Sequence, residues 1–303
     1  MERFDVRARI RGQLEAAVGT HDDPAIYGEP AGDPGLIGPG SVSWELNANM
    51  GAVAAAGAGA ILIELLHPGV MAGVHDQSNY RTQTERRMRN TFGYVQVTTF
   101  GSTDAATSLI ERVRRMHERV NGTMPDGRPY RAMDPELIGW VHNAIPWSIM
   151  LAYEHYVRPL SDDEKSRYLT EQAIIGKLSG AGDIPTSAAE LDDYLEAMRP
   201  KMAVNEQTLG FIDFILGRSE DHPTSPLDQR NRVLTMKASL QLAPKWVRQL
   251  TGFDHTEPGR RLWFDPTMRV QVGLLNWAFG IPANRRLAEA RAAGDPASAS
   301  RAA

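Results

Sequence analysis

The stretch from Met50 to Val74, MGAVAAAGAGAILIELLHPGVMAGV, limits the possible fold more than any other. Its apolar residues cover every side of a helix, and a helix that is apolar all round must be enclosed by other helices or by lipid. The run is long enough to cross a bilayer. However, Glu64, His67 and Pro68 interrupt it, and its Ala and Gly residues are weakly apolar and suit close helix packing. The expectation is a buried central helix ending near His67–Pro68, with no stable membrane span.

The rest of the chain supplies the enclosure. Residues 2–18 have an amphipathic pattern, with Phe4, Ile10, Leu14 and Val18 as apolar contacts, and HDDPAIYGEPAGDPGLIGPG after them reads as a loop. Ser41 to Trp44 begins the ordered body. Thr103 and Asp104 are helix caps, Asn121-Gly122 ends that helix, and MPDGRPYRAM reads as a turn. Asp134-Pro135-Glu136 starts another helix, with a cap, a first-turn proline and an acid at the positive end of the dipole. Ser161-Asp162-Asp163-Glu164 opens a helix running to about Gly176. Further helices are expected over 187–198, 205–216, 227–242 and 260–279. Alternating strand patterns are nearly absent. The expected fold class is therefore mainly α, a single-domain helical bundle with globin-like core elements. Residues 1–40 form an N-terminal helix and Gly/Pro-rich loop, 41–285 the helical domain, and 286–303 a small, polar, flexible tail.

Composition narrows the function. A chain of 303 residues with 42% hydrophobic and 23% charged residues has ample apolar material for a core. A net charge of -4 and a pI near 6.1 favour no nucleic-acid partner. Cys 0 excludes disulfides, thiolate-held iron–sulfur clusters, thiol catalysis and covalent haem attachment. It fits a reducing compartment, and MERFDVRARIRG lacks the apolar core of a secretory signal, so a cytoplasmic protein is expected.

Between Arg87 and His142 polar groups sit on apolar helix faces. Arg87 and Thr91 are one turn apart, with Tyr94, Val95 and Thr98 continuing their face. The next helix carries Leu109, Val113, Met116 and Val120 in a stripe with His117. The third aligns Ile138, His142, Ile145 and Ile149. A histidine on such a face needs a partner for its ring nitrogens.

Common motifs are missing. Gly57-Ala-Gly59 lacks the third glycine and the preceding strand of a dinucleotide loop and reads as helix packing. There is no Walker loop or G-x-S-x-G elbow, and His117-Glu118 is not followed by the second histidine of H-E-x-x-H. Glu64-x-x-His67 has the spacing of half a carboxylate-bridged di-iron site, but no second copy exists. A non-covalent haem needs only one neutral imidazole, and an arginine can hold a propionate through paired donors. On the residues alone haem is one candidate among several. A lone histidine on an apolar face is more often a bonded core residue than a ligand, and Arg87 lies in a run with Arg86 and Arg89 that could be surface.

The order of GPGSVSWELN, LLHPGVMAGV, RMRNTFGYV, MHERVNG and DGRPYRAMDPELIGWVHNAI resembles the haem oxygenase family that includes latex clearing protein (rubber oxygenase) and the mycophenolic-acid-pathway oxygenase. The match runs from about Gly38 to Tyr156, with looser fit beyond. This resemblance implies an all-α fold enclosing a haem b pocket, with iron held by His117. It implies that Arg87 and Thr91 match the family's Arg-x-x-x-Thr pair and that Trp140-Val141-His142 matches its W-V-H segment, placing His142 beside the cofactor or in the core behind it. His67 falls in the H-P-G turn. Asn90 stands where the rubber enzyme has a lysine, and no glutamate matches its pocket acid between Met71 and Asp76, so rubber itself is not the implied substrate. Asp76 and His75 are the nearest groups for a distal acid or base. The implied activity is a haem b-dependent oxygenase or oxidoreductase using O2 on an apolar small molecule, by oxidative C=C cleavage or hydroxylation, with an unspecified electron donor. The alternative is a non-enzymatic helical protein binding haem or a lipid-like ligand.

Overall fold

The computed structural model describes residues 23–219, 224–254 and 265–294, and the single positions 12 and 262. The expected helix over 2–18, the start of the following loop, residues 260, 261, 263 and 264, and the last nine residues lie outside the described residues. A one-turn helix α1 (Pro24–Tyr27) and α2 (Val42–Asn47) precede α3 (Met50–Glu64) and α4 (Pro68–Gln77). Next come α5 (Thr84–Phe100) and α6 (Thr103–His117), then an antiparallel hairpin of β1 (Asn121–Thr123) and β2 (Pro129–Arg131) with Gly122 opposite Tyr130. The remaining helices are α7 (Pro135–Tyr156), α8 (Asp162–Ser179), α9 (Ala188–Met198), α10 (Glu206–Ile215), α11 (Pro226–Leu240), α12 (Lys245–Thr251), α13 (Asp265–Phe279) and α14 (Ala283–Ala292). The protein is mainly α, as expected.

Local chemistry explains most of the boundaries. Ser41, Asn49, Ser102, Asp134, Ser161, Ser187, Asn205 and Ser225 each accept a backbone N–H as N-caps. Ser161 and Glu164 complete a capping box, so α8 starts where expected. It runs three residues past Gly176 and stops at Gly180, whose φ of 94° a residue with a Cβ would resist.

The central helix is α3, packed chiefly against α7 and flanked by α11 and α13. Its small residues let neighbouring backbones close in. A Cβ on Gly51 would lie 2.5 Å from the Val272 carbonyl oxygen of α13, and one on Gly59 would lie 3.0 Å from that of Ser239 in α11. Around it Leu46, Leu62, Leu66, Trp140, Tyr168 and Leu240 form the main core. Among the described residues no single helix is long and apolar enough to cross a membrane; α3 and α4 have the composition together but meet at a bend of 99°.

Three segments differ from their expected form. The 124–133 turn is the tip and return strand of the hairpin, and α1 forms inside the Gly/Pro-rich loop. Residues 286–292 are not a flexible tail: they lie in α14, where Leu287 and Ala288 pack with Tyr27, Trp44 and Phe100. Arg291, 1% exposed, donates to the backbone carbonyls of Tyr27 (2.7 Å), Asp33 (2.9 Å) and Phe100 (3.0 Å). The segment is polar in sequence but structural in the fold, because its arginine satisfies carbonyls that the N-terminal loop and α5 leave open.

Candidate active site

Helix α3 is enclosed along most of its length but not along all of it. Ala54 is exposed, Gly57 and Ile61 are half-buried, and a Cβ on Gly57 would meet nothing within 4 Å. These positions recur at helical spacing on one stripe, which ends at Glu64. Glu64 is only 8% exposed, and its Oε1 has no hydrogen-bond partner. Burial pushes its carboxyl up to about 8, opposed by the positive charge of Arg87.

Arg87 is in the first turn of α5. Its Nη1 donates to the Ser78 hydroxyl at 2.6 Å, just beyond the end of α4, and no carboxylate pairs with it among the described residues. Burial lowers its pKa, and the Glu64 charge raises it. Thr91, one turn on, is half-buried. Tyr94 continues the face and shares a hydrogen bond of 2.9 Å with Ser179 at the end of α8. Thr98 turns its hydroxyl back to the Tyr94 carbonyl at 2.7 Å, a local bond that removes it from any site.

His117 is the last residue of α6. Ala106 and Ile110 are the buried residues of that helix, and Val113 and His117 follow at helical spacing on the same side. The expected stripe through Met116 is corrected here: Met116 is 58% exposed, and the helix ends before Val120. Burial and then the Arg87 charge lower the pKa of His117, and no hydrogen bond holds its ring among the described residues. Its imidazole is therefore neutral near pH 7, with both nitrogens uncommitted. Arg114, one turn earlier, donates to the Leu178 carbonyl at 2.9 Å and fixes this end of α6 against α8.

His142 has a different environment. Its ring occupies the space beside Gly176 of α8, where a Cβ would come within 2.6 Å of Cδ2 and 2.7 Å of Nε2. Burial drives its pKa down to about 4, partly opposed by a hydrogen bond to the Gln172 backbone. The ring is thus engaged by α8. One turn later Pro146 can offer no N–H to the His142 carbonyl.

Glu64 and His67, three residues apart, do not act together. His67 caps α4, its Nδ1 accepting from Gly69 N–H at 3.1 Å, and its Nε2 lies 3.5 Å from Glu136 Oε1, while the other oxygen of that carboxylate, Oε2, contacts Lys201. Asp76 accepts from the Tyr130 hydroxyl at 3.0 Å and meets His75 Nδ1 at 3.1 Å, so both residues belong to the seam between α4 and the hairpin. Among the described residues no three His, Cys, Asp or Glu side chains gather as a metal-binding group.

The electrostatics therefore connect three helices through Arg87: Glu64 from α3 and His117 from α6 both respond to its charge. In the sequence Glu64 stood out as an acid inside an apolar run and as half of a Glu-x-x-His spacing. An imidazole with no hydrogen bond among the described residues, and an arginine with one donor on Ser78 and no paired carboxylate among them, are of the kind that a cofactor carrying carboxylates would use.

The model of the family described as ER-bound oxygenase mpaB/B'/rubber oxygenase, catalytic domain, matches residues 44–273. No curated protein and no solved structure matches the chain.

Proposed function

The chain belongs to this family of oxygenase catalytic domains, and on that premise we propose that it is a haem b-dependent oxygenase acting on an apolar small molecule. One feature carries the haem reading: burial and then the Arg87 charge favour the neutral form of the His117 imidazole, and no hydrogen bond holds its ring among the described residues. A neutral nitrogen with no competing partner is what a metal ligand requires. Bound there, haem b would supply the dioxygen chemistry of the reaction.

The chain's own residues bind, orient and exclude. Arg87 presents its remaining N–H donors to a propionate, steadied by its bond to Ser78. Thr91, one turn on, offers a hydroxyl on the same face. His142 braces α7 against α8 through Gly176 and the Gln172 backbone, which keeps this wall fixed. The half-buried Ile61, Val95, Ile138 and Ile145 give an apolar surface that keeps water away and favours an apolar substrate, cleaved at a C=C bond or hydroxylated. Asn90, exposed, offers no amine where the rubber enzyme has a lysine. The electron donor is external to the residues described, and the cytoplasm is the proposed location.

The test is the absorption spectrum of protein supplied with haem. A Soret band lost in His117→Ala and kept in His142→Ala is the expected result. A wild-type protein that stays colourless with excess haem overturns the proposal. Product formation under oxygen with a reductant separates an oxygenase from a haem-binding protein without turnover.

A further inference from the structure

We propose that a cavity between the end of α4, the hairpin tip and the start of α10 binds a small carboxylate carrying a hydrogen-bond donor on its neighbouring carbon. The cavity measures about 420 Å³, and neither Arg87 nor His117 lines it. Its occupation is therefore independent of the haem reading. Arg81 enters from the loop between α4 and α5, His75 from the last turn of α4, and Glu206 and Gln207 from the first turn of α10. Pro125 lines it from the hairpin tip.

The donors suit a carboxylate. The Arg81 guanidinium lies 5.3 Å from the centre of the Tyr80 ring, and a Cβ on Gly210 would come within 3.6 Å of its Nη2. Tyr80 in turn packs on Phe211 and Phe214 of α10, so the guanidinium is held against that helix. No carboxylate pairs with Arg81 among the described residues, although Glu206 shares its cavity. The amides of Glu206 and Gln207 are the first two of α10, which a helix leaves without acceptors of its own. The Asn205 side chain serves the third, that of Thr208, at 3.0 Å. A guanidinium beside open N–H groups at a helix start is a setting that a carboxylate fits.

The acceptors call for a second group on the ligand. Gln207 Oε1 is buried and has no hydrogen-bond partner. His75 Nδ1 lies 3.1 Å from Asp76 Oδ1, and the other oxygen of Asp76 accepts from the Tyr130 hydroxyl at 3.0 Å. That chain pins the imidazole and leaves its Nε2 over. Glu206 adds a carboxylate to the same lining. A bare anion would leave all three acceptors unmet, whereas a hydroxyl or ammonium beside the bound carboxylate would satisfy one of them.

Propionate, lactate and alanine are the probes, three-carbon acids that differ in what the second carbon carries. Titrated into the full-length chain, they are expected to shift the amide resonances of Glu206 and Gln207. The tighter of lactate and alanine should bind about tenfold better than propionate. Arg81→Gln is expected to weaken that binding about tenfold or more. Arg81 and Glu206 are exposed, so variants at either should keep the wild-type melting temperature. Glu206→Gln tells the two kinds of ligand apart: alanine, held through its ammonium, weakens, and lactate does not. Propionate binding as tightly as both others overturns the proposal. So do α10 amides that none of the three acids shifts, or affinities that Arg81→Gln leaves unchanged.

Discussion

The imidazole of His142 fills the space that a side chain at Gly176 would need. Two long helices, α7 and α8, meet at this point, one giving the ring and the other only backbone. Gly176→Ala would improve helix propensity by about 1 kcal/mol. Its methyl would also press on the ring at 2.6 Å and on Ile184 Cδ1 at 2.9 Å. Overpacking against a bonded ring costs about 1–3 kcal/mol. The substitution is expected to destabilise the protein, seen as a lower denaturant midpoint with an unchanged slope. A gain in stability would mean that the ring moves freely.

The same histidine predicts acid sensitivity. Its folded pKa, about 4, lies below the ordinary 6.5. The unfolded chain therefore binds the proton first, and stability is lost as pH falls from 6.5 towards 4. The contribution is up to about 3 kcal/mol. Urea unfolding at pH 7, 5.5 and 4.5 should show this loss in wild type and a smaller one in His142→Asn.

Glu64 has the opposite dependence. Its carboxyl titrates near 8 in the fold against 4.5 when unperturbed, so the folded state holds the extra proton and stability declines as pH rises between those values. The decline is at most ~5 kcal/mol. Glu64→Gln keeps the shape and removes the charge, and is expected to unfold at a higher temperature than wild type at pH 8 but at nearly the same temperature at pH 4.5. Equal melting temperatures at both values would show that Glu64 is solvated.

Arg291 closes the fold at its far end. Replacing it with Met keeps the aliphatic packing but strands the carbonyls of Tyr27, Asp33 and Phe100. Each stranded buried group costs about 1–3 kcal/mol. Faster amide exchange in α1 and α14 than in α7 is the expected signature; uniform exchange in Arg291→Met would refute this role.

Helix α3 was legible because its signal is contained within it: an apolar run with no polar face has to be enclosed, and proline with histidine ends it. The starts of α7, α8, α9 and α10 were legible for a similar reason, since a cap and the N–H it accepts are within three residues of each other. The stripe on α6 was misread by one position, because Leu109, Met116 and His117 all satisfy a helical period and only the neighbour at α8 selects the side. α14 was missed because its arginine binds carbonyls at sequence separations of 191, 258 and 264.

By itself, the sequence determined most of the long helices and that one of them lies at the centre, since hydrogen bonding and apolar periodicity act over one or two turns. It also put Arg87 and Thr91 on one face. The tertiary structure alone decided that His142 is engaged by α8 while His117 has no hydrogen bond among the described residues, and that His67 caps α4 and lies beside Glu136 rather than working with Glu64. Whether a buried polar atom has a partner depends on which distant backbone is folded against it, and no local pattern encodes that.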